Sequence, residues 1–158
     1  MSSMPAPGDP APPFEARDQS GATVRLADFA GRPLALYVYP ADDTPGCTKQ
    51  ACNLRDNLDA LREAGIAVVG VSKDDQASHE RFADKYDLPF PLLADPDREI
   101  LEAYGVWGER SLYGRTVVGT KRTTFLIGPD GRVAHVFKRP KTDRHAEEIV
   151  AKWQSLQT

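Results

Sequence analysis

The chain has 158 residues, enough for one domain with a substantial core, and its 41% hydrophobic and 27% charged residues are the balance of a globular protein rather than a disordered or membrane-embedded one. A net charge of −3 removes the electrostatic reason for binding nucleic acid or anionic lipid, and no apolar run approaches the length of a membrane span. The opening MSSMPAPGDPAPPFE lacks the basic-then-apolar layout of a secretory leader, so a cytoplasmic location is expected. There thiols are kept reduced, and a cysteine pair is more readily reactive or metal-binding than a structural staple.

Taken in order, the predicted elements alternate between strand and helix. Residues 1–8, rich in Pro and small side chains, form an expected flexible lead-in. FEARDQSGATVRLADF carries a turn signal at Asp18 to Gly21 between short alternating segments, which predicts an N-terminal hairpin. Pro33 to Tyr39 is a short continuous apolar run, the pattern of a buried strand, and Ile66 to Ser72 is a second. The segment from Pro45 to Ala64 between them reads as one helix, so strand, helix and strand make a parallel crossover. Further on, a helix is predicted over Ala77 to Tyr86, a strand over Phe90 to Leu93 and a helix over Arg98 to Tyr104. Two alternating runs flank Pro129-Asp130-Gly131, which is a hairpin signature. The stretch from Asp143 to Leu156 reads as an amphipathic helix. No repeat or linker divides the chain: residues 1–158 are expected to form a single α/β domain with a central mixed sheet flanked by helices.

Both cysteines, Cys47 and Cys52, lie in the segment TPGCTKQAC. Thr44 is a favoured N-cap and Pro45 suits the first helical position, so Cys47 falls in the first turn of the predicted helix. Ala51, Leu54, Leu58 and Leu61 follow it at spacings of four, three, four and three, which places Cys47 at the top of the buried stripe. Cys52 is rotated by about 140° from that stripe and shares the polar side with Asp56 and Asp59. Taken alone, Cys47 could be a small buried hydrophobe, as many free cysteines are, and Cys52 an incidental surface thiol. Three features favour a thiolate at Cys47. It sits at a helix start with unpaired N–H groups, it follows a strand end, and Gly46 beside it leaves the backbone open to close approach. Holding a thiol ionised near neutrality takes roughly 3.4 kcal/mol, whereas a helix end contributes at most about 2 kcal/mol, so a second cation is needed.

Five residues along an ideal helix separate two Cα atoms by roughly 8.7 Å, beyond the reach of a disulfide at about 7 Å. If the two sulfurs react together, the helix must unwind. Metal binding fits poorly. Cys-x4-Cys is not a usual zinc spacing, and His79, His135 and His145 are scattered, so each is expected to be a surface or satisfied residue, and no metal or organic cofactor is expected. The Cys-x-x-Cys of a thioredoxin-type dithiol is absent.

PADDTPGCT, Pro40 to Thr48, resembles the peroxiredoxin signature Pro-x-x-x-Thr-x-x-Cys, with Pro40, Thr44 and Cys47 in register. Cys52, five positions on, is similar to the second cysteine of the bacterioferritin comigratory protein, or peroxiredoxin Q, branch. GDPAPPFEARDQSG, VSKD, YGVWGE and RTTFLIGPDGRVAHVF resemble landmarks of that branch in the same order, covering roughly Gly8 to Trp153.

The resemblance implies a thioredoxin-like fold and a peroxidase. Cys47 would be the peroxidatic nucleophile, attacking a hydroperoxide to give a sulfenic acid. Arg122 would supply the missing cation, Thr44 would place its hydroxyl beside the sulfur, and Pro40 would shield it from water. Cys52 would be the resolving cysteine, forming an intramolecular disulfide that thioredoxin or a similar dithiol reduces. The branch resemblance also implies a monomer. Ala41, Asp42 and Asp43, just before Thr44, put two carboxylates where branch members often carry Lys, and are expected to make the mouth of the site less cationic. A reading from another class stays open: a redox sensor or chaperone-like protein switched by melting of the cysteine-bearing helix.

Overall fold

The computed structural model describes residues 3–157. Its framework is a five-stranded mixed sheet in the order β5-β4-β3-β8-β9. The central strand β3 (Leu34–Val38) has all five residues buried, as its unbroken apolar run requires of a strand covered on both faces. It pairs in parallel with β4 (Ala67–Ser72), which pairs in parallel with β5 (Leu92–Ala94). On its other side β3 pairs antiparallel with β8 (Thr123–Ile127), which makes a hairpin with β9 (Val133–Phe137). The expected class, a mixed central sheet flanked by helices, is the class observed.

Strand alternation divides the core into two layers. One face of the sheet carries Ala35, Tyr37, Val68, Leu92 and Leu126. Against it pack α1 (Pro45–Asp56), α2 (Leu58–Glu63), α3 (Gln76–Tyr86) and α5 (His145–Leu156). The opposite face, with Leu36, Val38, Val69, Val71 and Phe125, is covered by Tyr104, the short helix α4 (Glu99–Ala103) and the N-terminal hairpin of β1 (Glu15–Arg17) and β2 (Thr23–Arg25). That hairpin turns where Asp18 accepts from the backbone N–H groups of Ser20 and Ala22. The lead-in is tied down from Pro5, which is buried, to Gly8, whose N–H bonds the Val133 carbonyl at 2.8 Å. Residues 1 and 2 lie outside the described residues.

Three elements differ from expectation. The single helix predicted over Pro45 to Ala64 is two, broken at Asn57. There the Asn57 side chain donates to the Asn53 carbonyl at 2.8 Å, the competition with the helix ladder that makes Asn a poor interior residue. The third strand of the parallel set is Leu92–Ala94, shifted toward the C-terminus of the predicted Phe90 to Leu93, because Pro91 cannot donate to the ladder. A further hairpin, β6 (Trp107–Leu112) and β7 (Arg115–Thr120), was not anticipated. It turns on Tyr113 and Gly114 at φ of 51° and 77°, a two-residue turn with both angles positive that Asn-Gly would normally signal. No helix among the described residues is long and apolar enough to cross a membrane.

Candidate active site

The site forms where β3 ends and α1 begins. Leaving the sheet at Tyr39, the chain crosses the loop Pro40 to Thr44 and enters α1 with Pro45 in its first turn. Cys47 lies in that turn and is 1% exposed. It shares a core layer with Ala51, Leu54, Leu58 and Leu61, the stripe that its spacing predicts. Cys52 is partly exposed on the same helix, and both cysteines are free. The structure therefore places the two sulfurs on one helix without bringing them together.

Arg122, the residue before β8, crosses to α1. Its Nη2 donates to the Cys47 sulfur at 3.3 Å, while its Nη1 donates to Gln50 Oε1 at 2.6 Å. The second cation that a thiolate needs is thus in contact with the sulfur, 75 residues away in sequence. Gly46 permits this: a Cβ there would lie 3.1 Å from Arg122 Nη2, so the space left by the missing side chain is taken by the guanidinium. Gln50 is 0% exposed. Sequence reasoning passed over it, although a polar residue three after Cys47 on the apolar face was a readable signal.

Thr44 occupies the N-cap position but its side chain does not cap the helix; instead the hydroxyl donates to the Ala41 carbonyl at 3.0 Å. The side-chain cap anticipated from sequence is therefore not formed, because the rotamer that gives the hydroxyl proton to Ala41 leaves the oxygen without a helix N–H. Thr48 N–H meets the Thr44 backbone carbonyl at 2.8 Å, so the backbone half of the cap is present. Pro40 is partly buried at the end of the sheet, its carbonyl accepting from Lys73 Nζ at 3.3 Å.

The two carboxylates before Thr44, expected to make the mouth less cationic, are both paired with residues of α3. Asp42 turns inward, its side chain 5% exposed. Its Oδ2 lies 2.7 Å from His79 Nδ1 and accepts from the Ser78 hydroxyl, and its Oδ1 accepts from the Tyr39 hydroxyl at 2.6 Å. Burial pushes the Asp42 carboxyl upward, but the hydrogen bonds and the charge of His79 outweigh it and hold it below the ordinary range. Asp43 is paired with Lys85 at 2.7 Å and accepts from the Tyr86 hydroxyl at 2.7 Å, bonds that hold its carboxyl low. These contacts fix Asp43 in the left-handed region, at φ 53°, which an aspartate adopts at a cost. The loop is thus braced on both sides by α3. Pro40 itself adds no side-chain hydrogen bond to this brace.

His79 is fully buried and bonded through both ring nitrogens, to Asp42 and to the Leu93 carbonyl at 2.9 Å, as expected of a satisfied histidine. His145 is likewise buried, between Thr124 Oγ1 at 2.7 Å and Glu148 Oε1 at 2.9 Å. His135 is partly buried. Asp42, Asp74 and His79 cluster closely enough to suggest ligands. Three of their oxygens are already engaged: both of Asp42, as above, and Asp74 Oδ2, which takes the Asp42 N–H at 2.8 Å and the Ser72 hydroxyl at 2.6 Å.

A sulfur buried under a guanidinium at a helix start has the parts of a nucleophile. Residues 7–136 match the AhpC/TSA family. The chain is 48% identical over 146 residues to peroxiredoxin Bcp of Escherichia coli, covering 92% of this chain and 93% of that protein. It is 39% identical over 143 residues to peroxiredoxin Bcp of Bacillus subtilis, covering 90% and 91%. Among solved structures it is similar to a Xylella fastidiosa PrxQ mutant, with TM-score 0.90 at 31% identity over 100% of both chains. Peroxiredoxin Q of Xanthomonas campestris superposes with TM-score 0.86 at 32% identity over 98% of both chains. With nearly the whole chain matched in sequence and in its thioredoxin-like fold, the protein belongs to the AhpC/TSA family and, within it, to the Bcp/PrxQ peroxiredoxins, which are thiol peroxidases.

Proposed function

We propose that Cys47 is the peroxidatic cysteine, that Cys52 resolves it, and that thioredoxin or a similar dithiol completes the cycle. The observation that carries this reading is the fork of Arg122, one arm on the Cys47 sulfur and the other locked by buried Gln50. In the first step the Cys47 thiolate attacks the terminal oxygen of a hydrogen peroxide or organic hydroperoxide. The S–O bond forms as the O–O bond breaks, and the leaving oxygen departs as water or alcohol after taking a proton. Arg122 and the N–H groups at the start of α1 supply donors where charge gathers on the two oxygens. In this reading the Thr44 oxygen, whose proton is given to the Ala41 carbonyl, accepts from the incoming peroxide, and Pro40 limits water at the entrance.

The sulfenic acid on Cys47 is then attacked by Cys52, giving an intramolecular disulfide and water. This requires the first turns of α1 to unwind, because an intact helix holds the sulfurs apart. Exchange with an external dithiol restores both thiols. The whole cycle runs within one chain, which suits a monomer, and needs the reducing surroundings of the cytoplasm to recur. No metal or organic cofactor takes part in it. Cys47→Ser is expected to abolish hydroperoxide reduction. Cys52→Ala is expected to complete a single turnover and then fail to cycle with thioredoxin, thioredoxin reductase and NADPH. Full peroxidase activity in Cys47→Ser overturns the assignment, and negligible turnover of the wild-type chain with any dithiol favours a sensor instead.

A further inference from the structure

The two halves of α1 are anchored by different chemistry. In the front half, Pro45 to Cys52, Arg122 ties the helix to the sheet through contacts that include the reacting sulfur itself. In the back half the anchor is Asn53. Its Nδ2 donates to the Asp143 carbonyl at 3.0 Å and to Glu147 Oε1 at 3.2 Å, and its Oδ1 accepts from the Ala146 N–H at 2.8 Å. These bonds serve α5 as much as α1. The N-cap residue of α5, Arg144, makes no side-chain cap, so an orphan N–H at the start of α5 is satisfied from another helix. The residues after Asn53 are held as well: Leu54 is 0% exposed, Arg55 Nη1 donates to the Tyr86 carbonyl at 2.6 Å, and Asn57 bonds back to the Asn53 carbonyl. Cys52 is the last residue before this anchored stretch.

We infer that Asn53 is a positioning residue for disulfide formation, a clamp that stops the unwinding of α1 at Cys52. The inference rests on the two-cysteine cycle proposed above. Once Cys47 carries a sulfenic acid, the Cys52 thiolate attacks its sulfur. The S–S bond forms, the S–O bond breaks, and the oxygen leaves as water after taking a proton. With Asn53 held on α5, Cys52 stays in place and only the segment bearing Cys47 moves, which raises the frequency of productive encounters. Unwinding past Asn53 would remove the cap of α5 and expose Leu54, so the fold itself resists it.

The Ala146 amide is a built-in reporter, because its acceptor is the Asn53 side chain. Hydrogen exchange is measured on the full chain, reduced and after one equivalent of hydrogen peroxide. On disulfide formation the amides from Lys49 to Cys52 are expected to exchange about 100-fold faster, while Ala146 stays within about threefold of its reduced rate. Asn53→Ala exposes Ala146 in both forms and slows conversion of sulfenic acid to disulfide about fivefold or more, with the rate of Cys47 oxidation by hydrogen peroxide unchanged within about twofold. Asn53→Asp combined with Glu147→Gln, which keeps an acceptor for Ala146 and lets the amide at 147 donate back to position 53, restores the disulfide rate. A wild-type Ala146 amide that accelerates as the disulfide forms, or an Asn53→Ala chain that forms it at the wild-type rate, overturns the clamp and leaves the cycle standing. A wild-type chain that forms no Cys47–Cys52 disulfide overturns the cycle and the clamp with it.

Discussion

At Cys47, the sulfur meets a neighbour that the primary structure keeps far away. Arg122 reaches the sulfur only because Gly46 carries no side chain and Gln50 holds the other arm of the guanidinium. Gln50 also leaves its Nε2 without a protein partner, so it is placed for Arg122 rather than for its own satisfaction. Arg122→Met removes a charged donor aimed at the sulfur and is expected to lower kcat/KM for hydrogen peroxide about 100-fold, read from stopped-flow oxidation. A loss of less than about threefold would remove Arg122 from the reacting centre. The candidates Cys47, Thr44 and Pro40 fall in one short segment, and the roles proposed for Thr44 and Pro40 come from its resemblance to the peroxiredoxin signature. Arg122 was legible only through the resemblance, since an arginine opening a strand is ordinary. Gln50 was missed because a single polar residue on an apolar stripe is easily read as an imperfection.

The element that matters most is α1, and its boundaries were half visible. Thr44-Pro45 marks its start, and the structure begins the helix there. Its end was overrun, because the apolar stripe continues through Leu58 and Leu61 into α2 without a change of period. The break comes from a side-chain bond of Asn57, which periodicity does not register. Leu54 lies before this break, 0% exposed and packed in the layer between α1 and the sheet. Leu54→Ala is expected to cost about 2–5 kcal/mol of stability by leaving a cavity, measured as a lower urea midpoint with unchanged slope. A cost below about 1 kcal/mol would mean that the layer collapses around the gap rather than holding its shape. The hairpin β6–β7 escaped notice for a related reason: Tyr113 supplies a positive φ that sequence rules assign to Asn or Asp.

Over the whole molecule, pH acts through His145 and His135. Burial pushes the His145 imidazole below its ordinary value and nearby Arg122 adds to this, with Glu148 opposing. Burial also lowers His135, helped by Lys152. A histidine with a depressed folded value stays neutral while its unfolded counterpart takes up a proton below about pH 6.5, so stability is complete above that pH and is lost as pH falls toward the folded value. The unfolding free energy from urea titrations is expected to drop between pH 7.5 and 5.5, by at most about 1.4 kcal/mol per pH unit for His145 and by less for the more exposed His135. His145→Gln should flatten this dependence without removing the share of His135; an unchanged slope would show that His145 does not titrate differently on folding. His145 illustrates the wider division between what is local and what is not. Strand, helix and turn are dictated mainly by neighbours along the chain, through side-chain size, period and backbone freedom, so the sequence alone determined the α/β class, the crossover from β3 to β4 and the place of both cysteines on one helix. What depends on residues far apart in the chain was decided by packing: the guanidinium on the sulfur, the Asp42 carboxylate turned inward onto His79, and α5 capped by Asn53. Each of those is a charge or hydrogen bond whose strength depends on distance and burial, and neither quantity exists until the layers close.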